Sequence, residues 1–225
     1  PDAVILIAFC KKISAFLYNP IMRKIFVTGI GTDVGKTIVA AILTEALQAD
    51  YWKPIQCGSL ELTDTERVKR LVESNQSFFH PEAYRLYTPA SPHYAAEIED
   101  VKINWGKLKL PETNNTLVIE GAGGLMVPFN LKGETMLDIA RNTDSEVVIV
   151  SRNYLGSINH TLLTLRVLQD SGVKILGLIF NGESNPSSED VILKTTKVPL
   201  LGRIKEEYEF TKDLITTYSR DYIFI

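Results

Sequence analysis

Cysteine is scarce. Cys10 and Cys57 are the two in the chain, too few for a disulfide framework and without the spacing of a zinc site. That usage suits a reducing compartment, so a cytoplasmic location is the expectation. Long apolar runs are missing as well. The longest, Ala3 to Cys10, ends at Lys11 and Lys12, whereas a bilayer-spanning helix needs about 20 apolar residues. The run has neither a basic start nor a small-residue exit, so it makes a poor signal peptide. No basic block exceeds two residues and the formal net charge is −3. Composition therefore gives no support to a nucleic-acid or anionic-membrane partner. Internal repeats and low-complexity linkers are absent too.

What is there is ordinary globular composition, 45% hydrophobic and 23% charged over 225 residues, which excludes intrinsic disorder. At about 150 residues per domain the length holds one large domain, or one ordinary domain with an appendage. Residues 1–21 read as the appendage. They are apolar and aromatic-rich without a clear period, and they stop just before Met22. One reading makes them an upstream extension with no part in catalysis, the other an interfacial or partner-binding helix. Residues 22–225 read as a single domain.

From Arg23 onward strands and helices alternate. Lys24–Thr28 is a short β-branched and aromatic run, and 36–47 carries a helical stripe of Val39, Ile42, Leu43, Ala46 and Leu47. Tyr51–Ile55 reads as a strand, Thr65–Val72 as a helix, and Phe78–Pro92 as loop with a short helix. Thr116–Ile119, Glu146–Val150 and Ile175–Phe180 are continuous apolar strands, with Ile158–Leu168 an apolar helix between the last two. Strands that are apolar throughout and separated by helices predict a doubly wound α/β fold. Its sheet is mostly parallel, with helices on both faces.

The sharpest motif is Gly29-Ile30-Gly31-Thr32-Asp33-Val34-Gly35-Lys36-Thr37, after a strand and before a helix. Glycines let the backbone turn its N–H groups around phosphate oxygens, and the helix N-terminus adds partial positive charge. Lys36 supplies a cation for the β- and γ-phosphates, and the Thr37 hydroxyl can ligate Mg²⁺. The loop departs from strict G-x-x-x-x-G-K-[ST] spacing, which would place a glycine at Ile30. Glu120 ends an apolar strand ahead of a glycine cluster, the place of a Walker-B carboxylate, with Glu for the usual Asp. Asp64, on its own, reads as a helix cap.

Taken in order, the loop at 29–37, Lys53-Pro54 with Gly58, Ser91-Pro92-His93, Glu120 with Gly121-Ala122-Gly123-Gly124, Leu155-Gly156-Ser157-Ile158-Asn159-His160, Asn181 and Pro199-Leu200-Leu201-Gly202 together resemble the dethiobiotin synthetase family. The likeness runs from Arg23 to about Glu207. It implies a homodimeric enzyme of the P-loop NTPase type that closes a cyclic urea on 7,8-diaminopelargonate, using CO₂, ATP and Mg²⁺. By the same resemblance Lys36 and Lys53 are catalytic lysines, and Thr37, Asp64 and Glu120 ligate the metal. Thr32, Asp33, Val34, Gly35, Gly121, Ala122 and Gly123 line the nucleotide, and Asn181 meets the adenine with Lys205 and Glu206 nearby. Cys57, Gly123, Gly156, Ser157 and Asn159 face the substrate, the 156–159 helix start receiving its carboxylate tail across the dimer.

Departures from the family pattern stand at Cys57, where a hydroxyl residue is common, at Ala90 for threonine, and at Arg203-Ile204-Lys205 for Glu-Ile-Pro. His93 and His160 lack metal-ligand spacing and read as packing residues. Another P-loop amidoligase or small-molecule kinase is the alternative, opposed by Lys53-Pro54 and the 156–160 turn. A partitioning-type ATPase switch lacks its early loop lysine here, since Gly29–Val34 contains none.

Overall fold

The computed structural model describes residues 22–221; the expectations for residues 1–21, Cys10 included, lie outside the described residues. β1 (Lys24–Gly29) is buried after its first residue, because both of its faces are covered. It runs through the loop into α1 (Lys36–Leu47), and the chain returns as β2 (Asp50–Trp52). Later come β4 (Phe79–His80), β6 (Leu117–Gly124), β7 (Glu146–Arg152), β8 (Ile175–Asn181) and β9 (Leu200–Ile204). These form a seven-stranded sheet in the order β4-β2-β6-β1-β7-β8-β9, each neighbouring pair parallel. β3 (Ile55–Cys57) and β5 (Tyr84–Leu86) make a separate parallel pair.

The helices are α2 (Asp64–Leu71), α3 (Pro92–Ile98), α4 (Met136–Asn142), α5 (Ser157–Asp170), α6 (Pro186–Thr196) and α7 (Lys212–Asp221). The chain leaves β1 toward one sheet edge through α1 and leaves β7 toward the other through α5. Right-handed crossovers therefore put these helices on opposite faces. α1 packs against α2 and α7, and α5 against α6. This is the expected doubly wound α/β architecture. Its direction of winding reverses at β1, so the ligand crevice opens at that strand's carboxyl end, beside the glycine loop. Among the described residues no helix is long and apolar enough to cross a membrane.

Several boundaries differ from the expectation. The single strand read over 51–55 is interrupted at Lys53-Pro54, since proline has no N–H for a ladder, and the chain resumes as β3. The stretch 78–92, read as loop with a short helix, holds β4 and β5, strands of two and three residues that are too short to show a period, and the short helix starts only at its last residue, Pro92. The second helix is capped by Thr63, not Asp64. The Thr63 hydroxyl accepts the Glu66 N–H at 3.3 Å, and the Glu66 carboxylate accepts the Thr63 N–H at 2.9 Å, a capping box. The cap reading of Asp64 is thereby corrected, and its carboxylate is free for other work.

Candidate active site

The glycine loop is closed by contacts that side chains would prevent. A Cβ on Gly29 would lie 2.4 Å from Val34 Cγ2. Gly35 has φ +97, and its Cβ would meet Asn181 Nδ2 at 2.2 Å. Asn181, at the end of β8, donates that nitrogen to the Val34 carbonyl at 2.9 Å. Gly35 is the N-cap of α1 and gives it no side-chain cap, so the first-turn N–H groups stay open to an anion. Thr32 and Asp33 are exposed on the loop's crown. Lys36 curls back over the loop and donates to the Gly31 carbonyl at 2.9 Å. Burial, seconded by the nearby Lys53 charge, lowers its pKa to about 8, against the opposite pull of Glu120, Asp64 and Asp33.

Next to the loop an ionic cluster brings together residues far apart in sequence. The Lys53 ammonium lies 2.8 Å from Asp64 Oδ2 and 2.9 Å from Glu120 Oε1, and donates to the Gly121 carbonyl at 3.1 Å. The Thr37 hydroxyl donates to Glu120 Oε1 at 2.9 Å. Glu120 and Lys53 are almost wholly buried, at 1% and 4% exposure, as an ion pair this dry requires hydrogen-bonded partners. Burial opposes the Lys53 charge, but Glu120 and Asp64 more than offset it and hold the ammonium charged beyond the ordinary lysine range. Burial likewise opposes ionisation of Asp64, yet Lys53, Arg67 and Thr37 keep its carboxyl below the ordinary aspartate value.

The sheet explains this convergence. β2 lies beside β6, with Trp52 level with Ile119, so residue 53 comes level with Glu120 where β2 ends. Two residues sequence reasoning missed complete the cluster. Tyr51, two positions before Lys53 and so on the same side of an extended strand, donates its hydroxyl to Glu120 Oε2 at 2.7 Å. That period of two was the available signal. Gln56, buried, accepts the Asp64 N–H at 3.1 Å and donates to the Gly58 carbonyl at 3.0 Å, fixing where α2 begins. Nothing local in the sequence marks it.

Thr37, Asp64 and Glu120 offer only oxygen, the donor type of a hard divalent cation. No group of three or more His, Cys, Asp or Glu side chains suited to a metal gathers among the described residues. A cation here would thus take two carboxylates and a hydroxyl, completed by water and phosphate oxygens, which is the habit of Mg²⁺.

The remaining expected residues fall around this centre. Gly121, Ala122 and Gly123 continue β6 beside the loop; a Cβ on Gly121 would press the Phe26 ring at 2.9 Å. Cys57 ends β3, half-buried, and burial pushes its thiol up to about 11 against the pull of the Lys53 charge. Gly156, at φ +104, caps α5, so Ser157 is the first helical residue and not an ordinary cap. Ser157 is buried, Asn159 exposed, and both line a cavity of about 810 Å³ with Glu183 and Ser188. Glu206 lies close to Gly182, next to Asn181, but its carboxylate is held by Arg152 at 2.8 and 2.9 Å. Lys205 is exposed, with its backbone N–H on the Tyr218 hydroxyl at 3.1 Å.

Comparison with known proteins places the chain in a family. The profile of a family described as an AAA domain matches residues 23–213. The ATP-dependent dethiobiotin synthetase BioD of Christiangramia forsetii is 50% identical over 200 residues, 89% of this chain and 96% of that protein. The enzyme of the same name from Cytophaga hutchinsonii is 49% identical over 199 residues, 88% and 96% of the two chains. Among solved structures, the cell division ATPase MinD of Pyrococcus furiosus superposes with a TM-score of 0.57 at 18% identity, covering 89% of this chain and 98% of that one. A ParA family ATPase from Chlorobium tepidum reaches 0.52 at 13% identity, covering 88% and 99%. At such identities the structural likenesses show the P-loop fold and nothing finer. The sequence relatives go further, and this chain belongs to the family of ATP-dependent dethiobiotin synthetases.

Proposed function

We propose that the chain is an ATP-dependent ligase that closes the cyclic urea of dethiobiotin from 7,8-diaminopelargonate and CO₂, releasing ADP and phosphate. The observation that carries the reading is the Lys53–Asp64–Glu120–Thr37 cluster at the mouth of an uncapped phosphate loop. A substrate amine first takes up CO₂ as a carbamate and loses protons. A carbamate oxygen attacks the γ-phosphorus, breaking its bond to ADP and giving a carbamic-phosphoric anhydride. The second amine then attacks the carbonyl carbon, phosphate leaves, and the ring is closed.

This sequence asks the protein for positioning and charge, and for no covalent nucleophile. Loop N–H groups from Thr32 to Gly35 and the Lys36 ammonium would hold the phosphates, with Asp33 beside the nucleotide. Lys53 would face the carbamate and the γ-phosphate as negative charge moves between them. Thr37, Asp64 and Glu120 would hold Mg²⁺, and Mg²⁺ when bound neutralises phosphate oxygens. Asn181, anchored through its nitrogen, keeps its side-chain oxygen for the adenine amine, near Glu206 and Lys205. Gly121 to Gly123 would line nucleotide and substrate, and Cys57 the substrate side.

The open helix start at Gly156, Ser157 and Asn159 suits the substrate carboxylate. A homodimer is supported by the exposed apolar side chains of Met126, Tyr154, Leu155 and Leu163, which gather at this end of α5. The test is ADP release by the purified chain given ATP, Mg²⁺ and bicarbonate, with and without 7,8-diaminopelargonate. Release that depends on the diamine is expected. Release indifferent to it would overturn the reading.

A further inference from the structure

We infer that the Tyr51 hydroxyl positions the Glu120 carboxylate, taking up one of its oxygens so that only the other is offered to a divalent cation. The inference deepens, and rests on, the reading of Glu120 as a metal ligand. Its ground is a division of labour between two oxygens of one buried group. Oε2 accepts the Tyr51 hydroxyl at 2.7 Å, while Oε1 faces Thr37 and Lys53, both at 2.9 Å. Tyr51 is fully buried and Glu120 nearly so, so bulk water cannot replace the missing partner on either side.

Tyr51 is suited to the task because it is a fixed post. Its strand lies between β4 and β6, its N–H is bonded to the Phe78 carbonyl at 2.9 Å, and its ring stands 6.3 Å from that of Phe79.

The glutamate's length is what makes such a post useful. Relative to the Asp usual at this place, Glu120 has one more rotatable bond and could swing both oxygens onto a cation. Large Ca²⁺ accepts a bidentate carboxylate, whereas Mg²⁺ demands compact octahedral geometry with room for water and phosphate oxygens. Holding Oε2 back leaves a single-oxygen ligand and so favours Mg²⁺ over Ca²⁺. Tyr51 does not touch substrate; it acts through Glu120.

The test uses Mn²⁺ as probe, its binding to the full chain with ADP followed by electron paramagnetic resonance and competed with Mg²⁺ or Ca²⁺. Tyr51→Phe keeps the ring and removes the donor. It should weaken Mn²⁺ binding about tenfold, the scale of lost outer-shell partners, and reduce the preference for Mg²⁺ over Ca²⁺. Affinity and preference both within twofold of the parent, with only the melting temperature lowered, would make Tyr51 a packing residue and overturn the inference. Were Tyr51→Phe not to fold, 4-aminophenylalanine at position 51 restores a donor of the same shape. Parent-like Mn²⁺ affinity would then support the inference, and affinity still tenfold weaker would overturn it. Glu120→Gln serves as the separate check. Unchanged Mn²⁺ binding in that variant would remove Glu120 from the metal site and sink the underlying reading instead.

Discussion

The Asn181 side chain donates to the Val34 carbonyl at 2.9 Å, tying the end of β8 to the loop that follows β1. A residue that the family resemblance assigns to the adenine thus braces the phosphate loop from the other half of the sheet. Gly35→Ala would set a Cβ 2.2 Å from the bracing nitrogen at φ +97. Its affinity for a fluorescent ATP analogue should fall by more than about tenfold, since the left-handed backbone alone costs about 1–2 kcal/mol. Adding Asn181→Ala relieves the contact and not the backbone strain, and it also removes the adenine contact proposed for Asn181, so the double variant should stay weak. Recovery of full affinity there would show that the steric contact was the whole effect.

Lys53→Met should leave Asp64 and Glu120 facing each other without a cation. Removing one partner of a buried pair costs about 3–5 kcal/mol, and turnover should fall about 100-fold or more as charge stabilisation is lost. The pH dependence discriminates this from general damage. In the parent, Asp64 lies below its ordinary value of 3.8, so its contribution is present above that value and lost as pH falls through and below it. Lys53 is raised, so its contribution is complete below 10.5 and lost only at higher pH. In Lys53→Met the cation that holds Asp64 low is gone while its burial remains, so the variant should lose less stability than the parent as pH falls through 3.8. Melting curves of both proteins across that range check it; parallel curves would mean that Lys53 does not act on Asp64.

Lys36 carries the opposite sign. Its pKa is lowered from 10.5 to about 8 by burial and the Lys53 charge. Between those values the unfolded chain binds more protons than the folded one, so stability without nucleotide should rise as pH goes from 8 to 10.5. Lys36→Met should abolish that rise. Bound phosphates favour the ammonium, so ATP binding at pH 8.5 should take up protons. Calorimetric titrations in buffers of different ionisation enthalpy would read this, and equal heats in every buffer would contradict it.

The sequence made the parallel sheet and phosphate loop legible because both are written locally, in continuous apolar strands and in glycines ahead of Lys36. The ionic cluster around Lys53 was legible only in part. Glu120 is marked by the apolar run it closes, even though β6 continues past it to Gly124, whereas Asp64 resembles a cap until Thr63 and Glu66 are seen to form the capping box. The Tyr51–Glu120 and Asn181–Val34 bonds join residues 69 and 147 positions apart, and only strand order decides which of these meet. β4 and β5 escaped notice because two or three residues carry no period.

The substrate pocket is expected to need two subunits, and the surface at the start of α5 provides the lever. Isolated exposed apolar residues are ordinary, but here Leu155 is fully exposed and Met126, Leu163 and Tyr154 are about half so. Tyr154 is bonded to His160 at 2.7 Å, and His160, Leu163 and Met126 line one cavity beside Gly31 and Thr32. An apolar surface bordering a nucleotide loop favours burial against a second copy. Leu155→Glu with Leu163→Glu would place charges in that contact. Sedimentation should then show a monomer whose ATP-analogue affinity is retained, because the phosphate loop is built within one chain. Diamine-dependent ADP release should collapse, since the open helix start at Gly156 would lose what lies across from it. A parent that sediments as an active monomer would refute the shared pocket, whatever the variant does.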